Sequence, residues 1–292
     1  MLKPYDLLKS VLFDIEEGIR KDINADILAK KYDMSERHLR RLFKFAFEQS
    51  LASYISSRKL SASLDELLKT DANLISIAFD YGFGYEQSYL RAFKREFGIT
   101  PGDIRKTGHI VKVKPPLHLF DENKLPDGLI FKPEIVMVPQ FNIAGKLHRI
   151  PRCNLTSFSA EMGPNFWVNE RTQIKQAANS NVYIGLVRKS GDDNNFFEYM
   201  AAVQVDNFDD IPEGFSTYTF EASLCARFRY IGRPHNYDAT HLMYETIRKF
   251  VRGEYSKYTL LADKVYFEKV DTSFYDETYC QMEWHTPVVE KN

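Results

Sequence analysis

Arg37, Arg40, Arg41 and Lys44 stand at i, i+3, i+4 and i+7, a spacing that gathers four cations on one face of an α-helix. Leu39, Leu42, Phe43 and Ala46 fall together on another face of the same stretch. Ser35 precedes it, with a hydroxyl suited to accept a bond from an unpaired first-turn N–H, and His38 lies in that first turn. A narrow cationic ridge with an apolar back is what a helix needs to enter the major groove of double-stranded DNA. For one isolated helix the competing reading is a solvated charged face.

The chain then repeats itself. Leu28-Ala29 before the first turn recurs as Ile77-Ala78, and Arg41-Leu42-Phe43-Lys44 recurs as Arg91-Ala92-Phe93-Lys94. The offset is 49 residues before the turn and 50 after it, so the second turn carries one extra residue. That turn, Tyr81-Gly82-Phe83-Gly84, supplies glycine where a tight bend needs positive φ. In the second copy Leu90, Phe93 and Phe97 face inward, while Gln87, Arg91 and Lys94 face out. Two helix-turn-helix patterns sharing Arg-x-Phe-Lys weigh far more than either alone.

The elements that must hold these residues are helical. Residues 5–20 place Leu8, Leu12, Ile15 and Ile19 on one side of an amphipathic helix, and residues 25–31 form a short second one. After the cationic helix, residues 51–70 form a long helix joining the two copies. The second copy, from Ile75 to Thr100-Pro101 and on to Ile104-Arg105, resembles the DNA-binding domain of AraC/XylS-type transcriptional regulators. The resemblance covers roughly residues 8–106. It implies seven helices, with two reading helices in successive major grooves on one face of the DNA.

On this reading Arg37, Arg40 and Arg41 reach bases in one groove, and Gln87, Ser88 and Arg91 in the next. Lys44, Lys94 and Arg95 hold phosphates, which positions the protein without specifying sequence. The alternative for Arg41 and Arg91 is a helix-anchoring ion pair. Two departures stand out: Glu48 occupies the place of a family Gly, equivalent to Gly98 in the second copy, and Glu86 sits at a base-facing position. Glu86 either weakens base reading by the second helix or favours a cytosine amino group.

At 292 residues the chain is long enough for two domains. With 44% apolar and 27% charged residues it is globular rather than disordered. The net charge of −1 hides a local concentration, since residues 30–45 hold six basic and two acidic side chains. Three cysteines, Cys153, Cys225 and Cys280, stand far apart in no CxxC pair, which argues against a disulfide framework or a zinc site and fits a reducing compartment. The first residues lack a signal-peptide layout, and no apolar run reaches membrane-spanning length. Cytoplasm is the expected location, with no membrane partner.

Residues 108–132 break every helical pattern and read as a linker between a domain at 1–107 and another at 133–292, although 109–113 alternates like a short strand. Beyond it the composition turns to β-branched and aromatic residues. Strands are expected at 134–140, 182–188, 197–205, 217–230, 265–270 and 279–286, with helices at 165–179 and 239–254. Strand, helix, strand, strand, given twice, is a duplicated α+β unit with helices covering one face of an antiparallel sheet. The fold class is therefore multidomain: all-α with two helix-turn-helix units, then α+β.

Phe141-Asn142-Ile143-Ala144-Gly145, Phe267-Glu268-Lys269-Val270-Asp271 and Met282-Glu283-Trp284-His285-Thr286-Pro287 resemble the GyrI-like effector-binding domain. That resemblance implies a cleft lined by aromatics between the two halves, with a buried Glu from the penultimate strand, here Glu268. The family often has Tyr where this chain has Val270. A desolvated carboxylate attracts a cation strongly and aromatic faces add cation–π attraction, so the small-molecule effector is left open between a lipophilic cation, which such a pocket would attract, and a hydrophobic acid. Candidate wall residues are Phe141, Trp167, Tyr183, Tyr199, Tyr266 and Trp284; the alternative for each is ordinary core, and for Glu268 an exposed strand carboxylate.

GxGxxG, P-loop, HExxH and GxSxG spacings are absent, the seven His are scattered, and Ile150-Pro151-Arg152-Cys153-Asn154 departs from the Pro-Cys-His-Arg run of DNA alkyl-transfer proteins. No catalytic set, metal site or cofactor is expected. The leading reading is a ligand-responsive transcriptional regulator that binds DNA, a small-molecule effector and RNA polymerase. Two alternatives stand beside it: a GyrI-like small-molecule hydrolase using Glu268 with Tyr266 or Tyr183, and a regulator whose second domain docks a protein.

Overall fold

The starts of most N-terminal helices are set by small polar side chains. A computed structural model describes residues 2–119, 124–125, 127–151, 161–177, 181–189, 195–234, 257–261, 265–275 and 279–291. Contacts divide the chain into two units between residues 121 and 122. The first contains α1 (Pro4–Glu17), α2 (Ala25–Lys31), α3 (Glu36–Phe47), α4 (Leu51–Lys69), α5 (Leu74–Asp80), α6 (Glu86–Phe97) and α7 (Pro101–Thr107). Asn24, Ser35, Ser50, Asn73 and Thr100 each accept a first-turn N–H from the helix they precede, satisfying donors that a helix start leaves unpaired.

The internal repeat is structural. α5 starts 49 residues after α2, and α6 starts 50 after α3, so the extra residue sits in the second turn. Gly82 bends that turn at φ 70°, and Asp33 holds the equivalent place in the first copy at φ 50°. α3 buries Leu39, Leu42, Phe43 and Ala46; α6 buries Tyr89, Ala92 and Phe93. The long α4 is the shared spine: Tyr54 packs on Phe43 with ring centroids 5.4 Å apart, while Leu60, Leu64 and Leu67 join the core around Phe93. α1 stops at Glu17, short of the expected 20, because Gly18 caps it and donates its N–H to the Asp14 carbonyl.

Residues 109–113 form no strand. The segment instead lies along α4: Val111 packs on the second core, the Lys114 N–H donates to Ser61 Oγ at 2.9 Å, and the Leu117 N–H donates to the Tyr54 hydroxyl at 3.0 Å. Pairing with a side-chain oxygen satisfies that backbone without a ladder.

The second unit contains β1 (Lys124–Leu125), β2 (Gly128–Ile130), β3 (Glu134–Val138), β4 (Phe141–Pro151), β5 (Val182–Lys189), β6 (Phe196–Val205), β7 (Ser216–Phe220), β8 (Ser223–Gly232), β9 (Tyr258–Leu260), β10 (Tyr266–Asp271) and β11 (Cys280–Glu290). The sheet runs β1-β2-β8-β11-β10-β5-β6-β4-β7, with β3 beside β8 and β9 beside β11. Its middle six strands expose the duplication. β4, β5 and β6 form one half and β8, β10 and β11 the other; each half places its last strand between the other two, and the halves join where β5 pairs β10.

Three expectations are corrected, and β9 lies where no strand was expected. The expected first strand, 134–140, is β3, which pairs β8; the strand that opens the repeat is β4, where Ala144, Gly145, Arg149 and Ile150 break the alternation that Phe141, Ile143 and Leu147 begin. The expected strand 217–230 is two strands, β7 and β8, on different neighbours. β9 was missed because three residues carry no period. The expected helix 165–179 begins earlier, at residue 161, passes through a π-helical turn at Phe166–Glu170 and a 3₁₀ turn at Arg171–Gln173, and then ends. Beyond it Ile174 turns extended and buries, and Ala177 bridges Val205. The helix expected at 239–254 lies outside the described residues.

Candidate functional site

In a strand successive side chains point to opposite faces, and that rule sorts the candidates of the second unit. Tyr266, Glu268 and Val270 of β10 share one face with Tyr183, Gly185 and Val187 of β5, and with Tyr199 and Ala201 of β6; Phe267, Ile184, Leu186 and Met200 lie on the other. Along one row of the first face, Trp284, Glu268, Gly185 and Ala201 are successive cross-strand partners. The row crosses the β5–β10 seam between the two halves.

Gly185 decides what fits there. A Cβ at this position would run into Glu268 Oε1, and would stand 2.8 Å from both Glu268 Cγ and the Tyr199 hydroxyl. The missing side chain is the space the carboxyl occupies. Tyr199 donates its hydroxyl to Glu268 Oε1 at 3.1 Å, and the Tyr183 and Tyr199 hydroxyls bond to each other. Gly163, on the helical segment, lies over Tyr183: a Cβ there would stand 3.0 Å from the hydroxyl.

Desolvation dominates the electrostatics. Burial pushes the Glu268 carboxyl up to about 7, with the Tyr199 hydrogen bond pulling the other way. The residue as a whole is half-buried. Burial, reinforced by the nearby Glu268 charge, holds Tyr183 well above the usual phenol range. Tyr199 is raised likewise by burial, then by Tyr183 and Glu268. Burial carries Tyr275 up to about 12, with Cys280 and Glu268 adding to it. These phenols remain neutral donors at physiological pH.

Aromatic rings flank the trio on both sides. Tyr266 packs on Trp284 with centroids 5.4 Å apart, and Tyr266 and Met282 each touch the apolar clusters of both halves. Trp167 meets Tyr183 edge-on at 6.4 Å, and the Arg171 guanidinium stacks over Trp167 at 4.1 Å. Phe141 is not brought to this site. It lies on the opposite face, stacked on Phe220 at 5.1 Å and edge-on to Phe267 at 5.2 Å, because its position in β4 has the other parity. Sequence reading missed Gly163, Gly185, Ala201, Met282 and Tyr275. A glycine inside a strand pattern marks a close approach, so Gly185 was the one with a signal.

In the first unit Arg37, Arg40 and Lys44 of α3 are exposed, while Arg41 and His38 are half-buried. Ser35 accepts the His38 N–H at 3.2 Å. Arg40 Nε donates to Glu36 Oε1 at 2.8 Å, an exposed pair one turn apart. On α6, Gln87, Arg91, Lys94 and Arg95 are exposed and Glu86 and Ser88 half-buried. Arg91 Nε donates to the Gln87 carbonyl at 3.2 Å on its own helix. Each reading-helix candidate thus lies off the apolar core face.

Among the described residues no group of three or more His, Cys, Asp or Glu could hold a metal ion. Cys225 and Cys280 are buried free thiols, and Cys153 lies outside the described residues. No described helix is long and apolar enough to cross a membrane.

Residues 28–107 match a helix-turn-helix domain family, and residues 134–288 match the integron-associated effector binding protein family. The regulatory protein SoxS of Salmonella typhimurium is 35% identical over 99 residues, which is 34% of this chain and 92% of that protein. The right origin-binding protein of Escherichia coli is 31% identical over 115 residues, 39% of this chain and 40% of that one. A solved protein bound to tetraphenylphosphonium aligns with a TM-score of 0.41 at 17% identity, over 55% of this chain and 94% of that one.

Proposed function

For a chain that belongs to the integron-associated effector binding protein family and joins that domain to an AraC-type DNA-binding domain, we propose the following division of work. The chain is a DNA-binding transcriptional regulator controlled by a small molecule. Residues 1–107 bind DNA and residues 133–292 bind the effector; the stretch 108–132 joins them, its first part lying along α4 and its last part entering the sheet as β1 and β2. Arg37, Arg40 and Arg41 of α3 read bases in one major groove, and Gln87, Ser88 and Arg91 of α6 read the next. Lys44, Lys94 and Arg95 neutralise phosphates, and Glu86 accepts from a cytosine amino group. Ser35 acts through its cap, and His38 lies in the same first turn. RNA polymerase is the protein partner such a regulator works on, and the cytoplasm is where it meets DNA.

The Arg40–Glu36 pair does not oppose this reading. An exposed i,i+4 pair is worth about 0.3–0.5 kcal/mol, against about 1–3 kcal/mol for a bidentate guanidinium–guanine contact. DNA wins that exchange.

The effector is a lipophilic cation, and one observation carries this: a desolvated carboxyl over Gly185, hydrogen-bonded by Tyr199, between aromatic rings of both halves. A bound cation supplies the counter-charge that an ionised Glu268 lacks, and Trp284, Tyr266 and Trp167 supply apolar and cation–π surface. On this proposal the site binds without turnover. The test is calorimetric titration of the full chain with tetraphenylphosphonium and with an anionic isostere of it, tetraphenylborate, followed by mass spectrometry of the ligand. Binding of the cation alone, with its mass unchanged, is expected. Preference for the borate, or a mass change that requires Glu268, overturns the proposal.

A further inference from the structure

The second reading helix begins unlike its neighbours. α2, α3, α4, α5 and α7 each start on a Ser, Thr or Asn whose side-chain oxygen caps the first turn, and α1 starts with Pro4 at its first position. α6 starts on Tyr85, whose side chain makes no capping bond. The corresponding residue of the first copy, Ser35, does cap, accepting the His38 N–H at 3.2 Å. The backbone at Tyr85 still opens the helix, since its carbonyl accepts the N–H of Ser88 at 3.0 Å and of Tyr89 at 3.3 Å. Only the side chain has been diverted from the usual role.

That side chain does not serve the core either. Tyr54, Tyr81 and Tyr89 are buried, whereas Tyr85 is 76% exposed. Gly84 just before it meets no atom within 4 Å where a Cβ would stand, so the turn leading to the ring is open. The ring therefore stands free at the N-terminal end of α6, ahead of Gln87 and Arg91. A recognition helix touches base edges with its N-terminal residues, and thymine is the base that presents an apolar methyl in the major groove.

We infer that Tyr85 is a specificity-determining residue that packs its ring on the C5-methyl of a thymine, at the base step next to that facing Gln87. This rests on α6 being a DNA-reading helix. A serine at this position would cap the helix and leave the methyl unread; tyrosine gives up the cap and gains the contact.

The test uses the full chain and a duplex that the wild-type chain selects from a random library, with each thymine replaced singly by uracil, which lacks only the methyl. One such replacement weakens wild-type binding about fivefold. Tyr85→Ala binds the thymine and uracil duplexes alike, and Tyr85→Phe keeps the discrimination. Tyr85→Ser restores the cap, melts about 4 °C higher, and still loses the discrimination. Arg91→Ala separates the two claims. If Arg91→Ala weakens binding while Tyr85→Ala keeps the wild-type response to every uracil, the Tyr85 inference is overturned and α6 remains a reading helix. If neither variant changes binding, both fall.

Discussion

Replacing Glu268 by Gln keeps the shape of the side chain and an acceptor for the Tyr199 hydroxyl, but removes the ability to ionise. Burial carries this carboxyl from its ordinary 4.5 up to about 7. At 1.36 kcal/mol per tenfold change in proton affinity, holding the ionised form in the folded unit costs about 3 kcal/mol. The sign follows from linkage. Between pH 4.5 and about 7 the folded unit keeps a proton that the unfolded chain has lost, so the contribution of this group to stability is greatest below 4.5, falls as pH rises to about 7, and is flat above. Glu268→Gln removes that dependence and gains up to about 3 kcal/mol at pH 8, with little change at pH 4.5. Urea denaturation of wild type and variant at both pH values reads the difference directly. A variant less stable than wild type at pH 8, or one with the same pH dependence, refutes the desolvated carboxyl.

Gly185→Ala drives a methyl into Glu268 and Tyr199; overpacking of this kind costs about 1–3 kcal/mol, and calorimetry should show cation binding weakened at least about tenfold, a normal affinity counting against the role assigned to that glycine. Glu48 holds a left-handed conformation at φ 54° where Gly98 holds it at φ 74°. A side chain there costs about 1–2 kcal/mol, and glycine's extra freedom when unfolded returns about 0.5–1 kcal/mol of that. Glu48→Gly should therefore raise stability by about 0.5–1 kcal/mol, and a lower melting temperature would show that contacts of Glu48 outweigh the strain. Arg40→Ala should lose about 1–3 kcal/mol and relax preference at one base pair, whereas equal loss on selected and random duplexes removes it from base reading. Lys94→Ala should weaken all sequences alike and lower the salt slope by about 1.

The helical unit was legible because its signals are local and repeated. A 3.6-residue period, a polar cap and a shared Arg-x-Phe-Lys lie within short windows, and the 49- and 50-residue offsets survive in the helices themselves. The sheet was less legible for two physical reasons. β4 is buried at Ile143, Ala144 and Gly145 but exposed at Leu147 and Arg149, so neither a sustained alternation nor an apolar run marks it. Parity is also lost where a strand's start is misplaced, and Phe141 thereby joined the wrong face on paper. Glu268 came from resemblance. The glycine that makes its place lies on another strand, 83 positions away and directly across the ladder, which only the register discloses. Tyr85 was passed over because an exposed aromatic gives no periodic signal; only the missing cap makes it stand out.

The most direct test of the effector site is the dissociation constant of tetraphenylphosphonium for the full chain, measured by calorimetry from pH 5 to pH 9. A cation that binds the ionised carboxyl must displace its proton, so affinity should rise about tenfold per pH unit up to about 7 and level off above. Affinity should be weak and pH-independent in Glu268→Gln. Equal affinity across the range in the wild-type chain, or the same profile in Glu268→Gln, would contradict Glu268 as the group that receives the effector.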